Sequence, residues 1–189
     1  MKIEYLKTPL HKYTFSRKPI RKWVEENSKG KVLNLFAGKT KLDVDEFRVD
    51  EDKTMNADVY EDAYGFVLNC VKKFDTIILD PPYAYRKSME MYNGHKASRF
   101  NIIKNMIPKI LTKNGLVITF GYHSVSMGKS RGFIQEKILL MSHGGAIHDT
   151  IAVVEKKALS NSSPPVRTSD KFDSANAEEF NTDLKEVQK

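Results

Sequence analysis

The tetrapeptide Asp80-Pro81-Pro82-Tyr83 directly follows the apolar run Phe74–Leu79. A carboxylate such as Asp80 can accept hydrogen bonds from an amino group. The two prolines have a fixed φ and no N–H, so they stiffen the backbone and leave carbonyls that can accept hydrogen bonds. Tyr83 provides a flat ring that can stack on another planar ring. Together these groups suit a site that binds an exocyclic amine on an aromatic base.

The position of the tetrapeptide supports that interpretation. The run Phe74–Leu79 has the apolar, β-branched character of a buried strand. In an open α/β sheet, ligands bind beyond the carboxyl ends of the strands. A strand can also end in Asp-Pro-Pro for structural reasons alone, because proline stops a sheet and aspartate favours turns. The remaining residues favour the functional interpretation.

A second group of residues suits a nucleotide-like cofactor. Phe36-Ala37-Gly38 ends an apolar run, and small residues there let the backbone approach a ligand closely. Asp50 ends the next predicted strand, where a carboxylate can accept hydrogen bonds from both ribose hydroxyls. Asp62-Ala63 precedes a predicted helix, so Asp62 is either a ligand or the helix N-cap.

These residues together resemble the S-adenosylmethionine-dependent amino-methyltransferases, above all the adenine-N6 enzymes. Asp80-Pro81-Pro82-Tyr83 looks like their motif IV, which implies that these four residues form the catalytic site. Phe36-Ala37-Gly38 resembles their motif I, and Asp62 resembles the motif III acid that receives the adenine amino group of the cofactor. The resemblance implies an S-adenosylmethionine site made by Phe36, Ala37, Gly38, Asp50, Asp62 and Ala63, with no metal.

One spacing departs from that family. Gly38 and Asp50 are only twelve residues apart, whereas the dinucleotide-binding pattern places its acid about 20 residues on, across a full helix. We therefore expect the first crossover helix to be short or absent, and the cofactor pocket to be built atypically. Gly38-Lys39-Thr40 is not a phosphate-binding loop of the ATPase type, because Leu33 stands where that motif needs a glycine.

The pattern of elements predicts an α/β fold. We expect helices at Ser16–Lys29, with Ser16 as its cap, at Ala63–Lys73 and at Ser98–Leu111; strands at Lys31–Gly38, Glu46–Asp50, Phe74–Leu79 and Leu116–Phe120; a loop over 84–97; and a terminal hairpin turning at Gly144-Gly145. Alternating strands and helices predict a mostly parallel sheet, with the hairpin adding an antiparallel strand. This order resembles the Rossmann-like class I methyltransferase fold over roughly residues 17 to 157.

Composition predicts the limits of the domain and the cellular location of the protein. We expect residues 1–158 to form the methyltransferase domain and the polar segment 159–189 to be a disordered tail. The chain has one cysteine, no apolar run of membrane-spanning length and no apolar secretory signal, which favours a cytoplasmic protein without a membrane partner. Cys70 is expected within a helix as a small buried residue, which disfavours cytosine-C5 chemistry.

The charge distribution favours a nucleic-acid partner. The net charge is +7, and four basic against six acidic residues in 159–189 leave residues 1–158 at +9. A basic folded part suits a phosphate backbone. After the tetrapeptide, Tyr85 could stack on an extruded base, while Arg86, Lys87 and Lys96 are candidate phosphate contacts. Tyr122 and His123 could line the same pocket.

The function expected first is methyl transfer to the N6 amine of adenine in DNA. No separate target-recognition domain is evident, so the alternatives are a short recognition site, a homodimer or specificity subunit, or an RNA base methyltransferase acting on guanine N2 or adenine N6. A degenerate methyltransferase fold that only binds nucleic acid also remains open. Methylation of protein glutamine is disfavoured, because that chemistry favours Asn in place of Asp80.

Overall fold

The computed structural model describes residues 1–82, 85–86, 89–92, 95–145 and 148–158. Its strands are β1 (Lys2–Lys7), β2 (Val32–Asn34), β3 (Glu46–Asp50), β4 (Val59–Tyr60), β5 (Phe74–Leu79), β6 (Met89–Tyr92), β7 (His95–Ser98), β8 (Leu111–Gly121), β9 (Phe133–Ser142) and β10 (Thr150–Lys157). Its α-helices are α1 (Lys18–Asn27), α2 (Ala63–Asn69) and α3 (Arg99–Ile110), with short 3-10 turns at Thr14–Ser16 and Lys129–Arg131. Among these helices, none has the length and apolar character needed to cross a membrane.

Eight strands form one sheet in the order β1-β9-β10-β8-β5-β2-β3-β4. Strand β10 runs antiparallel to both of its neighbours, β8 and β9. The other neighbouring pairs in this sheet are parallel. The prediction of a mostly parallel sheet with a terminal antiparallel hairpin is therefore confirmed.

Helices cover both faces of the sheet. On one face, α1 buries Ile20, Trp23 and Val24 against residues of β2, β5 and β8. On the other face, the apolar sides of α2 and α3 pack on alternate residues of the same strands. This alternation follows from the two-residue period of a strand. The result places the carboxyl ends of the parallel strands β2, β3, β5 and β8 along one edge, where a site can form.

The first crossover contains no helix, as the short spacing predicts. Residues 35–45 connect β2 to the parallel strand β3 through turns, bends and irregular backbone. Leu42 is only 2% exposed and packs into the apolar cluster on the face that carries α1. Leu42, together with the partly buried Val44, therefore covers part of the face on which a crossover helix would otherwise pack.

A buried polar network holds this connection in place. Arg48 and Glu46 form an ion pair of 3.2 Å whose side chains are 3% and 0% exposed. Glu46 also accepts hydrogen bonds from the Leu42 N–H at 2.9 Å and from Asn34 at 2.9 Å. Arg48 donates to the carbonyls of Gly38 at 2.7 Å and Asn56 at 2.5 Å. Tertiary hydrogen bonds thus replace the internal bonds that a helix would have supplied.

Several element boundaries differ from the prediction. Strand β2 ends at Asn34 rather than at Gly38, so the glycine turn lies wholly beyond the strand. Helix α1 begins at Lys18, and Ser16 does not cap it; the Ser16 hydroxyl lies 3.1 Å from that of Thr40. Helix α2 ends at Asn69, so Cys70 follows the helix and is only partly buried.

Two regions contain structure that the sequence did not predict. Strand β1 pairs in parallel with β9 at the sheet edge, from Lys2 opposite Lys137 to Lys7 opposite Ser142. The segment 84–97, predicted as a loop, contains most of the antiparallel ribbon β6–β7. The tail 159–189 lies outside the described residues, so its disorder stays a prediction.

Candidate functional site

A cavity of about 500 Å³ opens at the carboxyl edge of the parallel strands. Of the residues predicted for the site, those that line it are Phe36, Ala37, Gly38, Asp50, Asp62, Ala63, Asp80, Pro81, Pro82, Tyr85 and Arg86. The two groups of residues recognised separately in the sequence therefore meet in one space. Tyr83 and Lys87 lie outside the described residues, and Lys96 is exposed on β7 and does not line the cavity.

Gly38 anchors the turn that follows β2. Its φ of +58° lies in the left-handed region, which favours glycine. Its N–H donates to the Asp50 carboxylate at 2.8 Å, and its carbonyl accepts from Arg48. Asp50 also accepts from the Asp52 N–H at 3.0 Å. Asp50 therefore fixes the turn to the end of β3, a structural role that the sequence prediction did not include.

Substitution of Gly38 should cost stability through backbone conformation rather than through a steric clash. A Cβ at this position would meet only the Tyr13 ring, at 3.7 Å. We expect Gly38→Ala to lower the free energy of unfolding by about 1–2 kcal/mol, and Gly38→Asn to lower it less. Denaturant unfolding of the two variants measures the difference. Equal losses for alanine and asparagine would contradict this explanation.

Asp62 serves as the N-cap of α2 and also lines the cavity. Its Oδ2 accepts from the N–H groups of Tyr64 at 3.0 Å and Gly65 at 3.4 Å. Its Oδ1 accepts from the Tyr85 hydroxyl at 3.0 Å. Burial and the neighbouring Asp62 raise the pKa of Tyr85, so the phenol stays protonated and donates. The N-cap interpretation is confirmed, and a ligand would have to share this carboxylate with the helix.

Tyr85 is directed toward the cofactor side of the cavity. Its ring meets that of Phe36 edge-on, with centroids 5.3 Å apart. Together with the bond to Asp62, this contact joins the segment after β5 to the turn after β2. The sequence predicted Tyr85 as a surface that stacks on the target base. In the structure Tyr85 bridges the two halves of the cavity, and its stacking on a base stays a prediction.

Asp80 stands at the end of β5 and is partly exposed to the cavity. Burial raises the pKa of its carboxyl above the ordinary value of 3.8, while a hydrogen bond from the Thr14 side chain and the charge of Arg86 oppose the rise. A raised pKa makes this carboxylate a better proton acceptor than a solvent-exposed aspartate. Both its position and its raised pKa therefore suit Asp80 to accept a hydrogen bond from a donor in the cavity.

Arg86 lines the cavity, and its guanidinium donates to the carbonyl of Pro81 at 3.3 Å and to the carbonyl of Phe120. Two of its nitrogens are therefore engaged within the protein, and its role as a nucleic-acid contact stays a prediction. Tyr122, beyond β8, lines the cavity as expected, whereas His123 is exposed and does not.

One wall of the cavity was not predicted from the sequence. Lys12, Tyr13, Thr14 and Phe15, between β1 and α1, line it. Glu51, directly after Asp50, is exposed and also lines it. An acid beside Asp50 could have been recognised as an alternative ligand. Thr14 could not have been, because nothing in the local sequence places it beside Asp80.

Comparison with known proteins bears on the fold. No family model matches the chain, and no curated protein matches it. Among solved structures, YhhF of Escherichia coli, assigned as a methyltransferase, superposes with a TM-score of 0.52 at 11% identity, over 76% of this chain and 89% of that one. TrmN of Thermus thermophilus superposes with a TM-score of 0.50 at 14% identity, over 74% of this chain and 47% of that one. The strand order and these similarities show that the chain has the Rossmann-like fold of the class I methyltransferases.

Proposed function

We propose that this protein is an S-adenosylmethionine-dependent methyltransferase that acts on the exocyclic amine of a nucleic-acid base. The observation that carries the proposal is the meeting of Asp80-Pro81-Pro82 with Phe36–Gly38, Asp50 and Asp62 in one cavity. Its volume of about 500 Å³ falls within the usual range for small-molecule sites, about 300–1,000 Å³.

The side chains on the β3 side of the cavity fit the cofactor. Its ribose diol and its positive sulfonium both suit an acidic surface, and Asp50, Glu51 and Asp52 lie there. Because Asp50 already accepts two backbone N–H groups, we assign a larger share of the diol contacts to Glu51. The backbone of Phe36–Gly38 allows close approach on the other side. When bound, S-adenosylmethionine supplies an electrophilic methyl group.

On the β5 side of the cavity, Asp80 and the Pro81 carbonyl make the target amine a better nucleophile. The N6 amine of adenine is a poor nucleophile because its lone pair is delocalised into the ring. Asp80 accepts one amine hydrogen and the Pro81 carbonyl accepts the other, which turns the nitrogen toward tetrahedral geometry and frees the lone pair. Positive charge develops on the nitrogen, and the fixed carboxylate of Asp80 stabilises it. The raised pKa of Asp80 also suits it to take the proton that the amine releases.

Adenine N6 in DNA is the first substrate we propose, on the strength of the Asp80–Tyr83 tetrapeptide. In a duplex the base would have to be extruded, at a cost of a few kcal/mol. The compactness of the fold favours an RNA base, at guanine N2 or adenine N6, as the second candidate. In the described part of the segment between β5 and α3, the ribbon β6–β7 is the largest element, and this part offers no inserted domain to recognise a duplex sequence.

Cofactor binding tests the enzymatic proposal against a degenerate fold. S-adenosylmethionine titrated calorimetrically into the wild type and into Asp80→Asn should bind both, because Asp80 belongs to the amine side of the cavity. Glu51→Ala should weaken binding. Absence of binding to the wild type, with nucleic-acid binding retained, would support the degenerate alternative instead.

A further inference from the structure

Arg86 occupies an unusual position at the ends of two neighbouring parallel strands. Its Nε donates to the carbonyl of Pro81, directly beyond β5, at 3.3 Å. One of its terminal nitrogens donates to the carbonyl of Phe120, at the end of β8. A single guanidinium therefore connects the backbone at the carboxyl end of β5, which is followed by Asp80, with that of the neighbouring strand β8.

The space for this guanidinium depends on Gly121. A Cβ at position 121 would lie 2.4 Å from Nη1 of Arg86. The φ of Gly121 is not positive, so the backbone does not demand glycine there. The absence of a Cβ at position 121 therefore leaves room for the guanidinium in the position it occupies, and a Cβ there would force the end of the Arg86 side chain to shift.

The surroundings of Arg86 are aromatic rather than anionic. Its guanidinium carbon lies 5.8 Å from the ring centroid of Phe100 and 5.9 Å from that of Tyr122. Within the described part of the chain, no carboxylate forms an ion pair with it. Arg86 does interact electrostatically with Asp80, since each of the two residues stabilises the charged form of the other.

We propose that Arg86 is a positioning residue, which orients the Pro81 carbonyl and Asp80 toward the target amine by holding the ends of β5 and β8 together. This inference rests on the proposed function and deepens it. A carbonyl oxygen has two lone pairs, so the bond from Arg86 leaves one for an amine hydrogen. The same bond fixes the direction in which that remaining lone pair points.

Arg86 also affects the charge of Asp80. Asp80 can accept a hydrogen bond from the amine through both oxygens only when it is ionised. The groups that act on its carboxyl are the Thr14 side chain, from the N-terminal wall, and Arg86, which follows Pro82 in the chain. Tyr122, beyond β8, also lines the cavity. Burial raises the pKa of Asp80, and Arg86 is the cation that opposes this rise. Loss of Arg86 should therefore move the titration of Asp80 to higher pH.

The test compares Arg86→Gln with Arg86→Lys. Arg131→Gln is the matched control, because Arg131 is also half-buried and donates to a backbone carbonyl, that of Met127 at 3.0 Å, but does not line the cavity. The carbon-13 chemical shift of the Asp80 carboxyl, assigned by the absence of its signal in Asp80→Asn, is followed as a function of pH and gives the titration midpoint. We expect this midpoint to lie at higher pH in Arg86→Gln than in the wild type, to return part of the way in Arg86→Lys, and to be unchanged in Arg131→Gln.

Kinetics separate positioning from phosphate binding. As a positioning residue, Arg86→Gln should lower kcat by about 10–100-fold, leave the KM for nucleic acid unchanged, and move the acid limb of the rate profile to higher pH. If Arg86 were a phosphate contact, its replacement by glutamine would instead raise KM. It would also reduce the slope of log affinity against log salt concentration by about one. An unmoved Asp80 titration, or an effect confined to KM, would overturn the inference.

The inference can still be tested if Arg86→Gln does not fold or if the wild type shows no methyl transfer. If Arg86→Gln fails to fold, Gly121→Ala displaces the guanidinium without removing it, and the Asp80 titration should move in the same direction. If the wild type transfers no methyl group, the proposed function fails, whereas the Asp80 titration still decides whether Arg86 controls that carboxyl.

Discussion

Replacement of Asp80 by alanine should reduce methyl transfer by at least about 100–1,000-fold, the usual cost of removing one preorganised group that stabilises transition-state charge. Asp80→Asn keeps one carbonyl acceptor but loses the charge, so its activity should fall between those of the wild type and of Asp80→Ala. Single-turnover rates with labelled cofactor provide the measurement. The matched control is Asp75→Asn, at the opposite end of β5, where the carboxylate accepts from Lys31 and Thr112 and does not line the cavity.

The loss of activity should not reflect unfolding. Because burial raises the pKa of Asp80 above 3.8, the folded state holds this proton more tightly than the unfolded chain does. The contribution of this group to stability therefore declines as pH rises from 3.8 to the raised pKa, and stays at its lowest above that value. Asp80→Asn removes this penalty, so its Tm at pH 7 should exceed that of the wild type. Near-normal turnover in Asp80→Ala would contradict the mechanism.

Breaking the Glu46–Arg48 pair should have the largest effect on stability. Both side chains are almost fully buried, and removing one partner leaves a buried charge without compensation. We expect Glu46→Gln or Arg48→Met to lower the free energy of unfolding by about 3–5 kcal/mol. Since Arg48 also holds the Gly38 carbonyl, the variants should bind S-adenosylmethionine more weakly as well.

A double-mutant cycle separates the pair from its surroundings. Glu46→Gln combined with Arg48→Met should cost clearly less than the sum of the single variants, because the double variant leaves no unpaired charge. The exposed pair Lys22–Glu26 on α1 is the control, and Glu26→Gln should have little effect. Additive losses in the double variant would show that the two residues stabilise the crossover independently.

The strands that carry the site could be predicted because their signals are local. Strands β3 and β5 have the predicted boundaries, Glu46–Asp50 and Phe74–Leu79. In β3 apolar and charged residues alternate up to Asp50, and β5 is a short, largely apolar run directly followed by Asp80. The missing first helix also followed from a local quantity, the spacing between Gly38 and Asp50. What the spacing could not show is how residues 35–45 are held, because Glu46 and Arg48 are charged residues that become buried only in the assembled fold.

Other features depend on contacts between distant parts of the chain. Strand β1 pairs with β9 more than a hundred residues away, and its alternation of charged and apolar residues is also compatible with a solvated segment. The ribbon β6–β7 did have a local signal, Asn93-Gly94 between two short runs, which the loop prediction over 84–97 did not use. The position of the Arg86 guanidinium uses space left by Gly121, which lies on β8, 35 residues further along the chain.

We propose that Asp80 and the Phe36–Gly38 turn form one methyl-transfer site for a nucleic-acid base. To test this, S-adenosylmethionine labelled in the methyl group is offered with unmodified genomic DNA and, separately, with total RNA, and the labelled nucleosides are identified by mass. We predict N6-methyladenine in DNA; label on an exocyclic amine in RNA would keep the site chemistry and select the second substrate. Label on a ring carbon, or no label in either nucleic acid despite cofactor binding, would contradict the claim.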